Sequence, residues 1–289
     1  MILVVGATGS VGREAVRLLA EREIPVRALV HTPEKRSLVA GPWVETVLGD
    51  LRDPRTLESA LEGVSKTLLI SPLSPHLVEL QTNFISSAKR ADNIHVVKLS
   101  GLATSLDSPV ISGNWHAQVE KKLLDSGLPF TFLRPPFFMQ NVLGFAPPVA
   151  ANRSFESSMK ESPVAMIDLR DVASIAVAAL TEEWHKNQAY AISGPQSLSF
   201  RQVAAEISRA IGKKVTYRTI TREKEREQLL AKGMPAWHVD LVQQFHQALG
   251  EGMASEVGLT AEWFTEKKAR TLSELIRENE DRFKAQAHR

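Results

Sequence analysis

The chain contains no cysteine among its 289 residues. Disulfide bonds, thiolate nucleophiles, zinc–thiolate sites and iron–sulfur clusters are therefore excluded. The chain also has no large excess of positive or negative charge, because its 35 basic and 33 acidic residues give a net charge of only +2. Such a balance gives no electrostatic reason to expect binding to nucleic acid or to an anionic membrane. We predict neither partner.

Long apolar runs are missing as well. No run in the sequence approaches the roughly 18 residues that a membrane-spanning helix requires, and no basic region precedes the first apolar residues. We therefore expect no transmembrane segment, no signal peptide and a cytoplasmic location. The eight histidines are scattered, without the i, i+4 spacing and neighbouring acid of a metal site, so we predict no bound metal.

The amino terminus is the most informative segment, because a short apolar strand leads into a glycine-rich turn and then into a helix. Gly6 permits the tight turn, Gly9 has no Cβ to block a pyrophosphate, and Gly12 lets the helix pack close to the sheet. The free N–H groups at Ser10, Val11 and Gly12 would meet the phosphate charge. This order of elements is typical of a nucleotide-binding βαβ unit.

Beyond this unit, strand and helix patterns alternate through the first half, as a parallel sheet requires. Strands are predicted at 2–5, 25–30, 44–48, 66–70, 95–99 and 130–133, and helices at 53–62, 76–91 and 114–126. The alternation then fades, with weaker strand patterns at 164–167 and 189–192, a helix at 172–180 capped by Asp171, and another capped by Ser199. From about residue 221 the chain is predicted to be helical.

These patterns predict an α/β fold, in which a doubly wound parallel sheet carries a smaller, mostly helical second lobe. We expect residues 1–135 to form the dinucleotide-binding domain, completed by 163–184. Residues 136–162 and 185–289 are assigned to the smaller, substrate-binding lobe.

The residues after the second strand indicate which dinucleotide is bound. An NAD site usually places Asp or Glu there to hold the ribose 2′-hydroxyl, and this chain has no acid at that strand end. His31, Lys35 and Arg36 follow instead, a cluster suited to a 2′-phosphate. The alternative is that Lys35 and Arg36 are only the solvated face of a short helix. We predict that NADP(H) is preferred over NAD(H).

Carboxyl ends of parallel strands are where ligands bind, so the residues just after each strand are candidates to line the cofactor. Asp50 is placed to accept from an adenine amino group, or is simply a turn residue after Gly49. Pro135 is placed beside the nicotinamide. The complete predicted cofactor set is Gly6, Thr8, Gly9, Ser10, Val11, Gly12, His31, Lys35, Arg36, Asp50, Leu51, Ser71, Pro72, Ser100 and Pro135.

Aromatic residues follow the sixth strand. Phe137 and Phe138, with Asn141, are predicted to face the cleft and contact the substrate. Aromatic rings at such a place can stack on a flat ring. The alternative is that they pack the two lobes together.

Several segments together resemble the NmrA-like atypical short-chain dehydrogenase/reductases, over essentially the whole chain. They are the opening Val5-Gly6-Ala7-Thr8-Gly9, Gly49-Asp50, Glu120 with Gly127-Leu128, Leu133-Arg134-Pro135, Ile167-Asp168 with Asp171-Val172-Ala173, and Gly233-Met234-Pro235. The resemblance implies an NAD(P)-binding Rossmann domain. The family includes NADPH-dependent quinone and triphenylmethane-dye reductases, biosynthetic reductases and nucleotide-sensing regulators.

The Tyr-x-x-x-Lys proton relay of ordinary short-chain dehydrogenases is missing. The chain has two tyrosines, Tyr190 and Tyr217, both in the second lobe and neither followed by a lysine four residues later. By the spacing of the resembling segments, Ser112 stands at the tyrosine position and His116 at the lysine position. A plain alcohol or ketone dehydrogenase is therefore disfavoured, since its tyrosine is the general acid.

Histidine at position 116 is similar to what the dye- and quinone-reductase branch carries there, which implies that His116 contacts the nicotinamide ribose or substrate, or delivers a proton. The alternative is a histidine packed in the first turns of its helix. Flat conjugated acceptors delocalise the incoming charge and need less from a protein acid than a ketone. We expect an NAD(P)H-dependent reductase of a quinone or dye. The alternative function is an NADPH-sensing regulatory protein that binds the cofactor without turnover.

Overall fold

The structure, a computed structural model, describes residues 1–91 and 93–284. Its strands are β1 (Ile2–Val5), β2 (Val26–Val30), β3 (Val44–Leu48), β4 (Lys66–Leu69), β5 (His95–Leu99), β6 (Phe130–Arg134), β7 (Ser154–Ser157), β8 (Gln188–Ala191) and β9 (Thr216–Thr219). Seven of these described strands form one sheet in the order β3-β2-β1-β4-β5-β6-β8, and every pairing in it is parallel. This is the predicted doubly wound Rossmann sheet.

The α-helices are α1 (Ser10–Glu21), α2 (Arg55–Leu61), α3 (Leu77–Arg90), α4 (Ile111–Ser126), α5 (Ala146–Asn152), α6 (Leu169–Thr181), α7 (Phe200–Ile211), α8 (Arg222–Ala231), α9 (Ala236–Gly250), α10 (Thr260–Thr265), α11 (Leu272–Glu278) and α12 (Glu280–Phe283). Short 3₁₀ helices cover Pro33–Leu38, Met139–Phe145 and Glu183–His185. In the described part of the chain, no helix combines the length and the apolar content needed to cross a membrane.

The central strands are apolar on both sides because helices cover both faces of the sheet. Neighbouring residues of a strand point to opposite faces, and β1 illustrates this. Val4 joins a core with Val16 and Ala176 on the face covered by α1 and α6. Leu3 joins the opposite core with Phe84 on the face covered by α3 and α4.

The smaller lobe is built around a separate apolar core. Strands β7 and β9 pair in parallel there, and the rings of Phe155, Phe200 and Tyr217 pack together. Ser199 caps α7 in a capping box with Gln202, as predicted for Ser199.

Strand β8 corrects the expected extent of the smaller lobe. It lies in the range 185–289 that the sequence assigned to that lobe, yet it pairs with β6 as the edge strand of the main sheet. The physical reason is that backbone pairing, with Leu133 opposite Tyr190, places it beside β6. The division of the chain into two domains itself stays a prediction.

Three local predictions were wrong. Asp168, not Asp171, caps α6, because its carboxylate accepts from the Arg170 N–H at 2.8 Å. Residues 164–167 form no strand and make only isolated bridges to Leu198 and Phe138. Helix α4 begins at Ile111, three residues before the expected start at 114.

Candidate active site

The carboxyl ends of the seven parallel strands meet at one edge of the sheet, on either side of the point where the strand order reverses between β1 and β4. In such folds ligands bind in the crevice outside this edge. The predicted cofactor residues follow these strand ends: residues 6–12 after β1, His31 after β2, Asp50 and Leu51 after β3, Ser71 and Pro72 after β4, Ser100 after β5, and Pro135 after β6. The topology therefore brings them to one edge.

The glycine-rich turn after β1 is closed by backbone contacts that leave no room for side chains. Gly6 adopts φ +77°, and a Cβ on it would lie 2.6 Å from the Ile70 carbonyl oxygen. A Cβ on Gly12 would collide with the Gly6 carbonyl oxygen. The Gly9 N–H donates to that same oxygen at 3.0 Å. Packing therefore requires glycine at positions 6 and 12, whereas a Cβ on Gly9 would lie 3.3 Å from the Gly6 carbonyl oxygen.

The turn presents the amino terminus of α1 to the carboxyl edge. Gly9 is the residue before the helix, and the first intrahelical bond runs from the Arg13 N–H to the Gly9 carbonyl oxygen at 2.8 Å. Within the described residues no side chain caps this end, so the N–H groups of Ser10, Val11 and Gly12 are left for a ligand. Free N–H groups, together with glycines whose lack of a side chain lets an anion approach the backbone, suit the pyrophosphate of a dinucleotide.

Cations collect around the ends of β2 and β3. Lys35 and Arg36 are exposed on the Pro33–Leu38 3₁₀ helix. His31 Nδ1 lies 3.7 Å from Asp50 Oδ2, and Arg52 Nη2 lies 2.9 Å from the same oxygen. Burial alone would raise the pKa of Asp50, but hydrogen bonds from Arg52 outweigh it and lower that pKa below its ordinary value. Asp50 is therefore a carboxylate paired with Arg52, with the His31 ring close to the same oxygen.

The remaining cofactor candidates differ in exposure. Leu51 is buried and Pro72 is exposed, whereas Thr8 is intermediate. Ser71 accepts a hydrogen bond from Gln81 Nε2 at 2.9 Å through its Oγ.

A buried polar cluster lies behind the end of β5. The Lys98 ammonium, whose residue is 0% exposed, donates to Ser100 Oγ at 2.8 Å and to His116 Nδ1 at 3.0 Å. Ser100 Oγ in turn donates to Glu120 Oε1 at 2.6 Å. Arg134 Nε donates to the same oxygen at 3.1 Å, and its Nη2 bonds Glu120 Oε2. Three elements, β5, α4 and β6, thus supply one connected network.

The electrostatics of this cluster favour neutral bases. Burial lowers the pKa of Lys98 to about 7, with Glu120 opposing the shift and Arg134 adding to it. Burial, and then the Lys98 cation, lower the pKa of His116 well below its ordinary value. His116 is therefore uncharged at neutral pH, and Lys98 exchanges a proton near that pH.

Sequence reasoning missed Lys98 and Arg52. Lysine is almost never fully buried unless it is paired, and Lys98 stands inside a strand that was predicted to be buried. That contradiction was the signal. Arg52 follows Asp50 by two residues, and only the fold shows that its side chain turns back onto that carboxylate.

The model of the NmrA-like family matches residues 1–281, so the match runs through both the sheet and the smaller lobe. The protein belongs to the NmrA-like family. This confirms the family predicted from the order and spacing of the motifs.

Individual relatives are similar along almost their whole length. The NmrA-like chain is 39% identical over 277 residues to an NAD(P)H azoreductase of Xenophilus azovorans, covering 96% of this chain and 97% of the relative. It resembles the structure of an NADPH-dependent quinone oxidoreductase from Escherichia coli complexed with NADPH, with a TM-score of 0.90, 27% identity, and coverage of 96% of this chain and 99% of that chain. It also resembles a Citrobacter triphenylmethane reductase complexed with NADP(H), with a TM-score of 0.88, 25% identity and the same coverage.

The predicted substrate residues of this NmrA-like protein do not share one environment. Phe137 is 7% exposed and packs in the core of the smaller lobe, its ring 6.1 Å from that of Phe245 and 6.3 Å from that of Phe200. Its burial between these rings supports the packing alternative. Phe138 is partly buried against the sheet core, and Asn141 is exposed.

Both tyrosines make hydrogen bonds outside the β5–α4 cluster. The Tyr190 hydroxyl bonds His185 Nδ1 at 3.0 Å, and the buried Tyr217 hydroxyl bonds Ser157 Oγ at 3.1 Å. At the position where the relay tyrosine would stand, the buried Ser112 lies in the first turn of α4, about one turn before His116.

Proposed function

We propose that this protein is an NAD(P)H-dependent reductase that reduces a flat conjugated acceptor, a quinone or an azo or triphenylmethane dye, and prefers NADPH to NADH. Bound NAD(P)H supplies the hydride. The chain itself must bind and orient the cofactor and position the acceptor. For a quinone or an azo bond it must also provide a proton, because that reduction consumes one hydride and one proton, whereas a cationic triphenylmethane dye takes up hydride alone.

The glycine turn and the first turn of α1 are assigned to the pyrophosphate. The free N–H groups of Ser10, Val11 and Gly12 are the donors. His31, Lys35 and Arg36 are assigned to the 2′-phosphate, supported by their place after β2, a strand whose last residues include no acid. An anion at that place gains from guanidinium and ammonium groups.

The observation that carries the proposal is the position of His116. Its ring reaches the Gly101 backbone just after β5, since a Cβ on Gly101 would lie 3.5 Å from His116 Nε2. An imidazole thus stands at the carboxyl edge of the sheet, where ordinary short-chain dehydrogenases use tyrosine and lysine. We assign His116 as the group that hands a proton to the reduced acceptor.

The relatives support the choice of acceptor. Proteins similar to this chain over almost its entire length are an NAD(P)H azoreductase, a quinone oxidoreductase and a triphenylmethane reductase. Each name describes reduction of a conjugated acceptor. Such acceptors spread the arriving charge over their rings, which suits a site that has no tyrosine acid and carries a histidine at the lysine position.

The test is NADPH oxidation followed by absorbance, with a naphthoquinone, an azo dye and a simple ketone as acceptors. We expect turnover with the first two and none above background with the ketone. His116→Ala should lower kcat by about 10²–10⁴-fold with little change in KM, the usual result of losing a positioned proton donor. His246→Ala is the matched control, since His246 is also partly buried but bonds Glu225 in the smaller lobe.

Tight NADPH binding with no turnover on any acceptor would favour the alternative, a regulatory protein that senses NADPH. An unchanged kcat in a destabilised His116→Ala variant would instead make His116 a packing residue. The cytoplasmic location and the lack of nucleic-acid and membrane partners stay predictions.

A further inference from the structure

Strand β5 carries a lysine that no step of the proposed reduction has used so far. Lys98 is fully buried and points to the face covered by α4, where its Nζ contacts Ser100 Oγ and His116 Nδ1. Burying an ammonium costs free energy unless it is paired and hydrogen-bonded. Replacement of such a lysine by an apolar residue would be easier to accommodate, so its presence calls for a specific explanation.

The charges facing Lys98 do not neutralise it. From α4 it faces His116 and Glu120, and from β6 it faces Arg134; on the β4 side its register partner is the apolar Leu69. Glu120 already accepts two bonds from Arg134. The Glu120 carboxylate is therefore shared by Arg134 and Lys98, so Lys98 is only partly stabilised as an ammonium and can release a proton to a nearby base.

The bond between Lys98 and His116 fixes the direction of proton transfer. While Lys98 is an ammonium, His116 Nδ1 can only accept from it, so the ring proton is on Nε2. Nε2 faces Gly101 at the carboxyl edge, and within the described residues it makes no hydrogen bond. Because an imidazolium is disfavoured at this site, His116 can release its Nε2 proton readily only if Nδ1 receives another at the same time.

We propose that Lys98 is the proton store of the site and that His116 conducts its proton to the acceptor, an inference that rests on the proposed reductase function. In the step, the acceptor gains hydride from NAD(P)H and the proton of His116 Nε2. The N–H bond at Nε2 breaks, the Lys98 proton moves to Nδ1, and Lys98 becomes a neutral amine while the ring stays neutral. After product leaves, a solvent proton enters at Nε2 and the Nδ1 proton returns to Lys98.

The rest of the cluster positions Lys98 for this exchange. Ser100 Oγ accepts a hydrogen bond from the Lys98 ammonium and donates its own O–H to Glu120 Oε1. Glu120 is fixed by Arg134, which also lies 5.9 Å from the centre of the Phe132 ring. Lys98 itself acts only through His116, at one remove from the reacting atoms.

The first test is the pH profile of kcat with a quinone acceptor. In the wild type kcat should fall as pH rises above about 7, because the store empties. Lys98→Met should lower kcat by about 10²–10⁴-fold at unchanged KM and NADPH affinity, and should remove that pH dependence. Lys98→Arg keeps the charge without a readily released proton, so it should be equally slow. Lys66→Met, at the opposite end of neighbouring strand β4 and paired with Glu183, is the control.

The second test does not depend on turnover. In ¹⁵N-histidine-labelled protein, with the resonances of residue 116 assigned from a His116→Gln sample, the wild type should show the Nε2–H form. Its Nδ1 resonance should move with a midpoint near pH 7 as Lys98 loses its proton. In Lys98→Met this movement should vanish.

The two tests separate the inference from the function on which it rests. Wild-type turnover together with wild-type kcat and pH profile in Lys98→Met or Lys98→Arg would overturn the proton store and leave the reductase standing. Wild-type protein without turnover on any acceptor would overturn the function, while the histidine titration would still decide whether Lys98 and His116 share a proton. An Nδ1 resonance constant from pH 5.5 to 9 would overturn the inference even if Lys98→Met failed to fold.

Discussion

Substitutions at two glycines of the phosphate turn should distinguish an effect on stability from an effect on cofactor binding. Gly12→Ala drives a methyl group into the Gly6 carbonyl oxygen, and this obstacle is backbone that cannot rotate away. Overpacking of this kind costs about 1–3 kcal/mol, which corresponds to a fall in Tm of roughly 2–10 °C for a chain of this size. The helix must shift to relieve the collision, so the first-turn N–H groups move and the Kd for NADPH rises as well.

Gly9→Ala is the matched variant. The backbone at Gly9, with φ −76° and ψ 167°, suits alanine, and the new Cβ would lie 3.3 Å from the Gly6 carbonyl oxygen. Tm should therefore change little. The methyl group would nevertheless stand where a pyrophosphate must approach, and loss of one charge-assisted hydrogen bond, worth about 1.5–3 kcal/mol, raises the Kd for NADPH by about 10–100-fold.

Calorimetric melting and isothermal titration with NADPH on the wild type and both variants decide the matter. A Gly12→Ala variant with the wild-type Tm would refute the packing argument. A Gly9→Ala variant with the wild-type Kd would refute the assignment of this turn to the pyrophosphate.

Three further changes test other parts of the structure. Replacing Lys35 and Arg36 together by Ala should raise the Kd for NADPH about tenfold, the loss expected for about 1.4 kcal/mol of phosphate contact, and leave NADH binding unchanged; equal weakening in titrations with both would contradict the assignment. The buried Lys98 has a pKa of about 7 when folded against 10.5 ordinarily, so the folded state binds fewer protons and gains stability as pH rises between these values. Urea unfolding should therefore show the stability advantage of Lys98→Met over the wild type shrinking by about 2–3 kcal/mol from pH 7 to pH 9, and a constant difference would refute it. Asp168→Ala removes the α6 cap and the ion partner of Arg170, so unfolding should cost at least about 1 kcal/mol less; unchanged urea midpoints would contradict this role.

Local patterns were sufficient for the elements that build the sheet. The strand, turn and helix at residues 2–21 were predictable because the apolar run, the glycine spacing and the helical pattern all lie within one short segment. Strand β8 was recognised as a strand but assigned to the smaller lobe. Its pairing with β6 joins parts of the chain more than 50 residues apart, and a local sequence pattern does not show which strand it pairs with. The choice between Asp168 and Asp171 as the α6 cap also involved a distant residue, because the Asp171 carboxylate accepts a hydrogen bond from the Arg270 N–H.

Candidate site residues that directly follow parallel strands could be named from the sequence. Those that depend on how a helix packs on the sheet could not. Glycines and polar residues after parallel strands are brought to one edge by topology alone. The role of Lys98 depends on α4 lying over β5, which the sequence does not state. For Phe137 the sequence left two alternatives, contact with the substrate and packing of the lobes, and its contacts with Phe200 and Phe245 are known only from the fold.

The most direct test of the central claim is a single turnover. Protein loaded with NADPH is mixed rapidly with a naphthoquinone at pH 7, and the loss of NADPH absorbance is followed. We predict that all of the bound NADPH is oxidised, at a rate that falls as pH rises above 7 and that His116→Ala slows. Bound NADPH that stays reduced in the presence of quinone and azo acceptors would contradict the account.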